Sequence, residues 1–139
     1  MTAESQPSVP PMLGMWHVAL NVRDVELMRA FYIDVLGYAV EWEPDPDNVY
    51  MTRGRDNIAI HRSDAAPAAG ARNRGSMDHI GFVLETPGHV DRWAGWLTER
   101  GHPPEVGVKT HRDGARSFYV RDPEGNLLQF IFHPPLAGG

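Results

Sequence analysis

The sequence predicts an α+β fold: two paired βαβββ modules forming an open, incompletely closed barrel. Three observations carry this. Residues 117–132 (SFYVRDPEGNLLQFIF) read as two alternating strands about a turn built from Pro, Gly and Asn. The order strand, helix, three strands occurs twice along the chain, as a divergent internal repeat. Between the two occurrences, residues 63–75 (SDAAPAAGARNRG) are small and polar without periodicity, and read as a linker.

The elements follow in order. Residues 15–22 (MWHVALNV) form a strand with Trp16, Val18, Leu20 and Val22 on one face and His17, Ala19 and Asn21 on the other. Asp24 is an N-cap for a helix from 25 to about 36, whose apolar stripe is Leu27, Met28, Phe31, Tyr32 and Val35. Gly37 closes it. A strand over 38–43 is broken by the Pro-Asp run at 44–47, and residues 48–53 and 57–62 make a hairpin. In its second strand Ile58 and Ile60 go to the core, and Ala59 and His61 face away. The second module opens with 77–85 (MDHIGFVLE), where Ile80, Phe82 and Leu84 oppose His79, Gly81 and Val83. A helix over 87–100 carries Val90, Trp93, Ala94 and Leu97 and stops at Gly101. A strand over 106–110 leads into the final hairpin. If Arg121 pairs with Leu127 there, Tyr119 lies opposite Gln129 and shares its face with Ser117, Leu127 and Ile131. Phe118, Val120, Leu128, Phe130 and Phe132 take the buried face. The boundaries are a Pro-rich, poorly ordered leader over 1–13 and one domain over 14–135. Within that domain the modules occupy 15–62 and 76–133.

Composition narrows the function. With 139 residues and 42% hydrophobic content, the chain suits one domain with a real core. A net charge of −5 and no basic run argue against nucleic acid. No cysteine is present, so a metal must take His, carboxylate, amide or water. With no signal-peptide pattern and no apolar run near the ~20 residues of a membrane span, a cytoplasmic protein is expected.

The face turned from the helices gathers His17, His61, His79, Tyr119 and Gln129. One such histidine is ordinarily a satisfied core residue, because unpaired buried polar groups are costly. Three on equivalent strands point instead to a divalent metal. His61 falls near the position of Gln129, one residue further past its turn, so that equivalence is open by one position.

The segments HVALNVRD…FYIDVLGY, MDHIGFVLE and SFYVRDPEGNLLQF resemble the vicinal oxygen chelate superfamily. It comprises glyoxalase I, bleomycin and fosfomycin resistance proteins, methylmalonyl-CoA epimerase and type I extradiol dioxygenases. The resemblance runs from about residue 16 to 133 and implies the superfamily's fold. It also implies His17, His61, His79 and Gln129 as ligands of a divalent ion (Fe, Zn, Mn, Ni or Co), and a small-molecule substrate or drug. Single-chain members of this length usually dimerise and can draw the ligands of each site from both copies, so the resemblance also implies a homodimer. Most metal-dependent members carry Glu where this chain has Gln129, so the implied ligand set is neutral and holds its ion less tightly. Glyoxalase-type isomerisation needs a carboxylate base at the metal, which neither His61 nor Gln129 supplies. A lactoylglutathione lyase is therefore disfavoured. Extradiol dioxygenases add a Tyr ten residues before the last ligand, which Tyr119 matches. They also carry second-shell histidines, for which His61 and His111 are matches by spacing. Tyr119 and His111 are the catalytic candidates, although His111 lies in a polar loop and the 2-His-1-carboxylate set of non-haem iron is incomplete.

Two functions from different classes follow. The first is a metal-dependent enzyme of the glyoxalase and dioxygenase type, acting on a small oxygenated molecule that chelates the ion. The second is a metal-free, bleomycin-resistance-type protein that sequesters an aromatic drug in the cleft between subunits, where Trp16, Trp42, Trp93 and Trp96 could stack on it, though Trp16, Trp93 and Trp96 read first as core.

Overall fold

Apolar alternation decides which face of each strand is buried. The computed structural model, which describes residues 8–135, follows that pattern in both halves. Module one consists of β1 (His17–Val22), α1 (Val25–Ala30), β2 (Ala39–Asp45), β3 (Asn48–Thr52) and β4 (Asn57–Arg62). Module two repeats the order with β5 (Ile80–Leu84), α2 (Pro87–Glu99), β6 (Val106–Thr110), β7 (Arg116–Arg121) and β8 (Leu127–Phe132). The sheets run β1-β4-β3-β2 and β5-β8-β7-β6. In each, the first strand is parallel to the last and the remaining pairs are antiparallel. These two unclosed four-stranded sheets are the predicted α+β architecture. In the final hairpin Arg121 pairs with Leu127 and Tyr119 with Gln129, as the turn implied.

One core serves both modules. Leu20, Val22, Met28, Phe31 and Tyr32 from the first join Val90, Leu97, Phe118, Leu128 and Phe130 from the second in a single buried cluster. The phenyl rings of Phe118 and Phe130 stack across the β7–β8 pair with centroids 5.1 Å apart.

The junction between the modules is polar and buried. Asp122 Oδ1 accepts the backbone N–H groups of Glu124, Gly125 and Asn126, while Oδ2 accepts the Tyr32 hydroxyl at 2.9 Å. Burial first, and the Asp122 charge second, push the Tyr32 phenol well up, so it remains a donor. Burial also raises Asp122, against the pull of its own hydrogen bonds. Glu124 accepts the backbone N–H groups of Arg23 and Asp24 at the start of α1. The linker is pinned to the same turn. Gly70 N–H donates to the Glu124 carbonyl at 2.9 Å, and the buried Arg74 guanidinium donates to Asn126 Oδ1 at 3.0 Å.

Four expectations are corrected. The first helix does not run regularly to residue 36. It widens after α1 into a π-type turn over Phe31–Val35, where Leu36 N–H donates five residues back to the Phe31 carbonyl at 3.1 Å. Trp96 Nε1–H and the Arg53 guanidinium supply donors to the Val35 and Leu36 carbonyls at its end. Leu27 is exposed and Val25 takes its place in the buried stripe. β2 continues through Pro44 because it is an edge strand, where a missing N–H removes no ladder bond. Among the tryptophans read as core, Trp93 is half-buried and packs on the cluster, whereas Trp16 is 50% exposed, one residue before the ladder starts, and Trp96 is also exposed.

The leader expected over 1–13 lies partly outside the described residues; residues 8–13 are exposed and outside any helix or strand. Among the described residues no helix is long and apolar enough to cross a membrane.

Candidate functional site

The faces turned away from the shared core carry the polar side chains that the alternation singled out. On module one, His17 pairs in register with Asn57, and its Nδ1 lies 2.6 Å from Asn57 Oδ1. Asn57 Nδ2 donates to Glu41 Oε1 at 2.8 Å, which fixes the amide so that Oδ1 can only accept. In the neutral ring His17 therefore carries its proton on Nδ1 and a lone pair on Nε2. His61 repeats the device. Its Nδ1 sits 2.6 Å from Asn48 Oδ1, and Asn48 Nδ2 donates to the Asp45 carboxylate. On module two the relay is direct, with His79 Nδ1 2.7 Å from Asp78 Oδ2. All three imidazoles thus hold Nδ1–H against a carboxylate or a carboxylate-backed amide. Each leaves Nε2 as an open donor atom, the arrangement found around metal-bound histidines.

Beside His79 stand Tyr119 and Gln129. The Tyr119 ring meets the His79 ring edge to face at 5.4 Å, and Gln129 Nε2 donates to the Tyr119 hydroxyl at 3.1 Å. That bond leaves Gln129 Oε1 free, facing Gly81 at a distance where an added Cβ would make an ordinary contact of 3.6 Å. His111 comes to the same face, because its Nε2 lies 2.9 Å from the Oγ of the buried Ser117. An open groove of about 760 Å³ runs along this face past Lys109, His111, Gln129, Ile131 and His133. On module one the indole of Trp42, 59% exposed, stacks on Tyr50 at 5.1 Å, and Tyr50 in turn stacks on His17 at 6.3 Å.

The register decides the equivalence that the sequence left open. β4 pairs Ala59 with Ala19 and Tyr50, and β8 pairs Gln129 with Gly81 and Tyr119. With His17 matched to His79, the counterpart of Gln129 is Ala59. His61 stands two residues further on, opposite Asn21 and Asn48.

The structure therefore brings Tyr119, Gln129, His79 and His111 to one face, and His17 and His61 to the face of the other sheet. Among the described residues no three His, Cys, Asp or Glu side chains converge as a metal-holding group. The donor chemistry nevertheless fits a divalent ion: imidazole Nε2 atoms with supported Nδ1–H groups, and an amide oxygen with its N–H already engaged. The supporting residues Glu41, Asn57, Asp45 and Asn48 escaped the sequence reading. Nothing in a strand's alternation marks which Asn turns its amide to a neighbouring ring. Asp78 was the legible one, being adjacent to His79.

Comparison with known proteins agrees with this fold. The sequence model of the Glyoxalase/Bleomycin resistance protein/Dioxygenase superfamily matches residues 14–130. The chain belongs to this superfamily. It is 28% identical over 127 residues to biphenyl-2,3-diol 1,2-dioxygenase 3 of Rhodococcus globerulus, covering 88% of this chain and 63% of that enzyme. It is also 28% identical over 118 residues to the virulence protein STM3117 of Salmonella typhimurium, covering 81% of this chain and 79% of that protein. In fold it is similar to a lactoylglutathione lyase from Agrobacterium tumefaciens, with a TM-score of 0.72, 23% identity, and 91% and 98% of the two chains covered. Superfamily members commonly use divalent metals.

Proposed function

We propose that the chain is a metal-dependent enzyme acting on a small oxygenated molecule that chelates a divalent ion, dioxygenase-like rather than a lactoylglutathione lyase. The observation that carries the reading is the shared tautomer of the histidines, which leaves Nε2 open on the outward faces beside an uncommitted Gln129 Oε1. His17, His79 and Gln129 would hold the ion, and His61 stands off Gln129's equivalent position. A bound ion would polarise the substrate's oxygens. Tyr119 keeps its hydroxyl hydrogen free to donate to a substrate oxygen, since the hydroxyl oxygen is the acceptor toward Gln129. His111 is the candidate to take or return a proton at Nε2, through Ser117. The dioxygenase preference draws support from the Rhodococcus relative and from the absence of a carboxylate at both Ala59 and Gln129.

Because His17 and His79 stand on separate sheets, the proposal includes a homodimer in which the outward face of one copy meets that of another. Exposed Trp42, Val83 and Val106 on those faces favour such cover. Native mass at micromolar concentration tests it, and a monomer with intact fold would remove it.

The exposed Trp42–Tyr50–His17 stack favours a second reading, metal-free sequestration of a flat aromatic molecule. Titration calorimetry with Co(II) and Zn(II) separates the two. The enzyme reading expects saturable binding in the wild type, tightened by Gln129→Glu because a carboxylate adds a full charge to a neutral set. No binding in the wild type, and none created by the Glu, would leave only the sequestering reading.

A further inference from the structure

The chain contains a single lysine, and it stands on the candidate site face. β6 pairs Lys109 with Ser117, and β8 pairs Ser117 with Ile131. Lys109 is thus one rung along from the row that holds Tyr119 and Gln129, a step of two residues or roughly 7 Å on a strand. Lys109, His111, Arg112, Gln129 and His133 line one groove. Among the described residues the ion pairs engage Arg29, Arg62, Arg72, Arg74, His79, Arg100, Arg116 and Arg121. Neither Lys109 nor Arg112 enters one. The carboxylate in the groove, Asp113, has Oδ1 engaged with the Ala115 N–H. That bond leaves Asp113 its charge, so the groove sets two cations free of ion pairs among the described residues against one carboxylate, with Gln129 in the same lining.

We propose that Lys109, with Arg112, is an anion subsite that takes a carboxylate on the substrate and so orients its oxygenated end toward Gln129 and Tyr119. The ligand class is a small organic acid, one rung long between its carboxylate and its chelating oxygens. Module one supports the assignment by contrast. The position equivalent to Lys109 there is Asp45, whose carboxylate is engaged with Asn48. This inference rests on reading the module-two face as the substrate site.

The lone lysine makes the test clean. Reductive methylation of the full chain with 13C-formaldehyde labels Lys109 and the terminal amine alone, and leaves both cationic. Titration with benzoate at constant ionic strength is expected to move the Lys109 signal along a saturating curve. Benzamide, of the same shape and neutral, should bind roughly tenfold or more weakly, the weight of a hydrogen bond to a charged group. Lys109→Gln, followed by calorimetry, should reduce that preference, Lys109→Gln with Arg112→Gln should erase it, and Lys109→Arg should keep it. A linear, unsaturating shift, or equal response to benzoate and benzamide, overturns the subsite. The outcomes separate from those of the metal experiment. Saturable benzoate binding in a chain that takes no Co(II) keeps the subsite and removes the metalloenzyme. Co(II) binding with Lys109 unmoved by benzoate does the reverse.

Discussion

Rung for rung, the outward faces of the two sheets share a scaffold and differ in chemistry. Ala19, Ala59, Tyr50 and Trp42 cross module one where Gly81, Gln129, Tyr119 and Val106 cross module two. On the next rung Asn21, His61, Asn48 and Asp45 stand against Val83, Ile131, Ser117 and Lys109. Both edge strands carry the same irregularity, three residues advancing against two between those rungs. The tyrosine is kept, while the amide, the indole, the second imidazole and the end charge are not. A duplicated sheet fixes where a side chain stands, and leaves what it brings free to diverge. Module one has become the half with amide-relayed imidazoles and an aromatic wall. Module two has the open amide oxygen and the cation.

The comparison assumes one frame holding both faces, and it breaks most severely at Glu124. Glu124→Ala strands the Arg23 and Asp24 N–H groups and the buried Arg74 guanidinium, so a loss of about 3–5 kcal/mol is expected in denaturant unfolding. An unchanged midpoint would mean that the modules are held elsewhere.

The next test concerns the rungs themselves. His17→Ala and His79→Ala should each weaken Co(II) binding by more than about 100-fold, beyond the loss usual for a supporting residue. His61→Ala should leave it nearly unchanged, because its rung is not that of Gln129. Equal losses at His17 and His61 would refute the register-based assignment.

A sharper distinction lies in how each imidazole is supported. Asn57→Ala and Asp78→Ala should both cost roughly 10–100-fold in Co(II) affinity. Only Asn57→Ala should also cost about 1–3 kcal/mol of stability, because Asn57 is buried and relays Glu41, whereas Asp78 is exposed. Comparing chemical denaturation with calorimetry for the pair reads both effects.

The smallest effect is at Glu105, which ties Arg121 of β7 and Arg72 of the linker. Hydrogen bonds from Arg121 and then Arg72 hold its carboxyl below the ordinary glutamate value. Its contribution is therefore present above that ordinary value and lost as pH falls through the lowered one. Glu105→Gln should cost under about 1 kcal/mol at pH 7 and nothing in acid. A penalty that persists at pH 2 would point to packing instead.

Most of the frame was legible because it rests on period-two alternation. The turn at 122–126 gave the Tyr119–Gln129 pairing directly, and Ile58, Ile60, Phe118 and Phe130 are buried as read. Trp16 was misread because alternation says which side a residue faces and not where the ladder ends. Counting past the turns leaves the equivalence of His61 and Gln129 open by one position, and strand pairing, which no single sequence displays, separates them by two. His111 is the exposed loop residue that its surroundings predict, and only its bond to Ser117 was not legible. The π-type turn was not legible: Phe31–Val35 is made of weak helix formers, but nothing in them specifies a widened turn.

The clasp at the module junction bears on synthesis. Tyr32 and the start of α1 find their acceptors on Asp122 and Glu124, about ninety to a hundred residues later in the chain. As the chain leaves the ribosome, its first half therefore waits with an unpartnered phenol and two open N–H groups until residues 122–124 have emerged. Folding of that half is expected to await the turn at 122–126, and a chain truncated before residue 122 to be a substrate for chaperones and proteases.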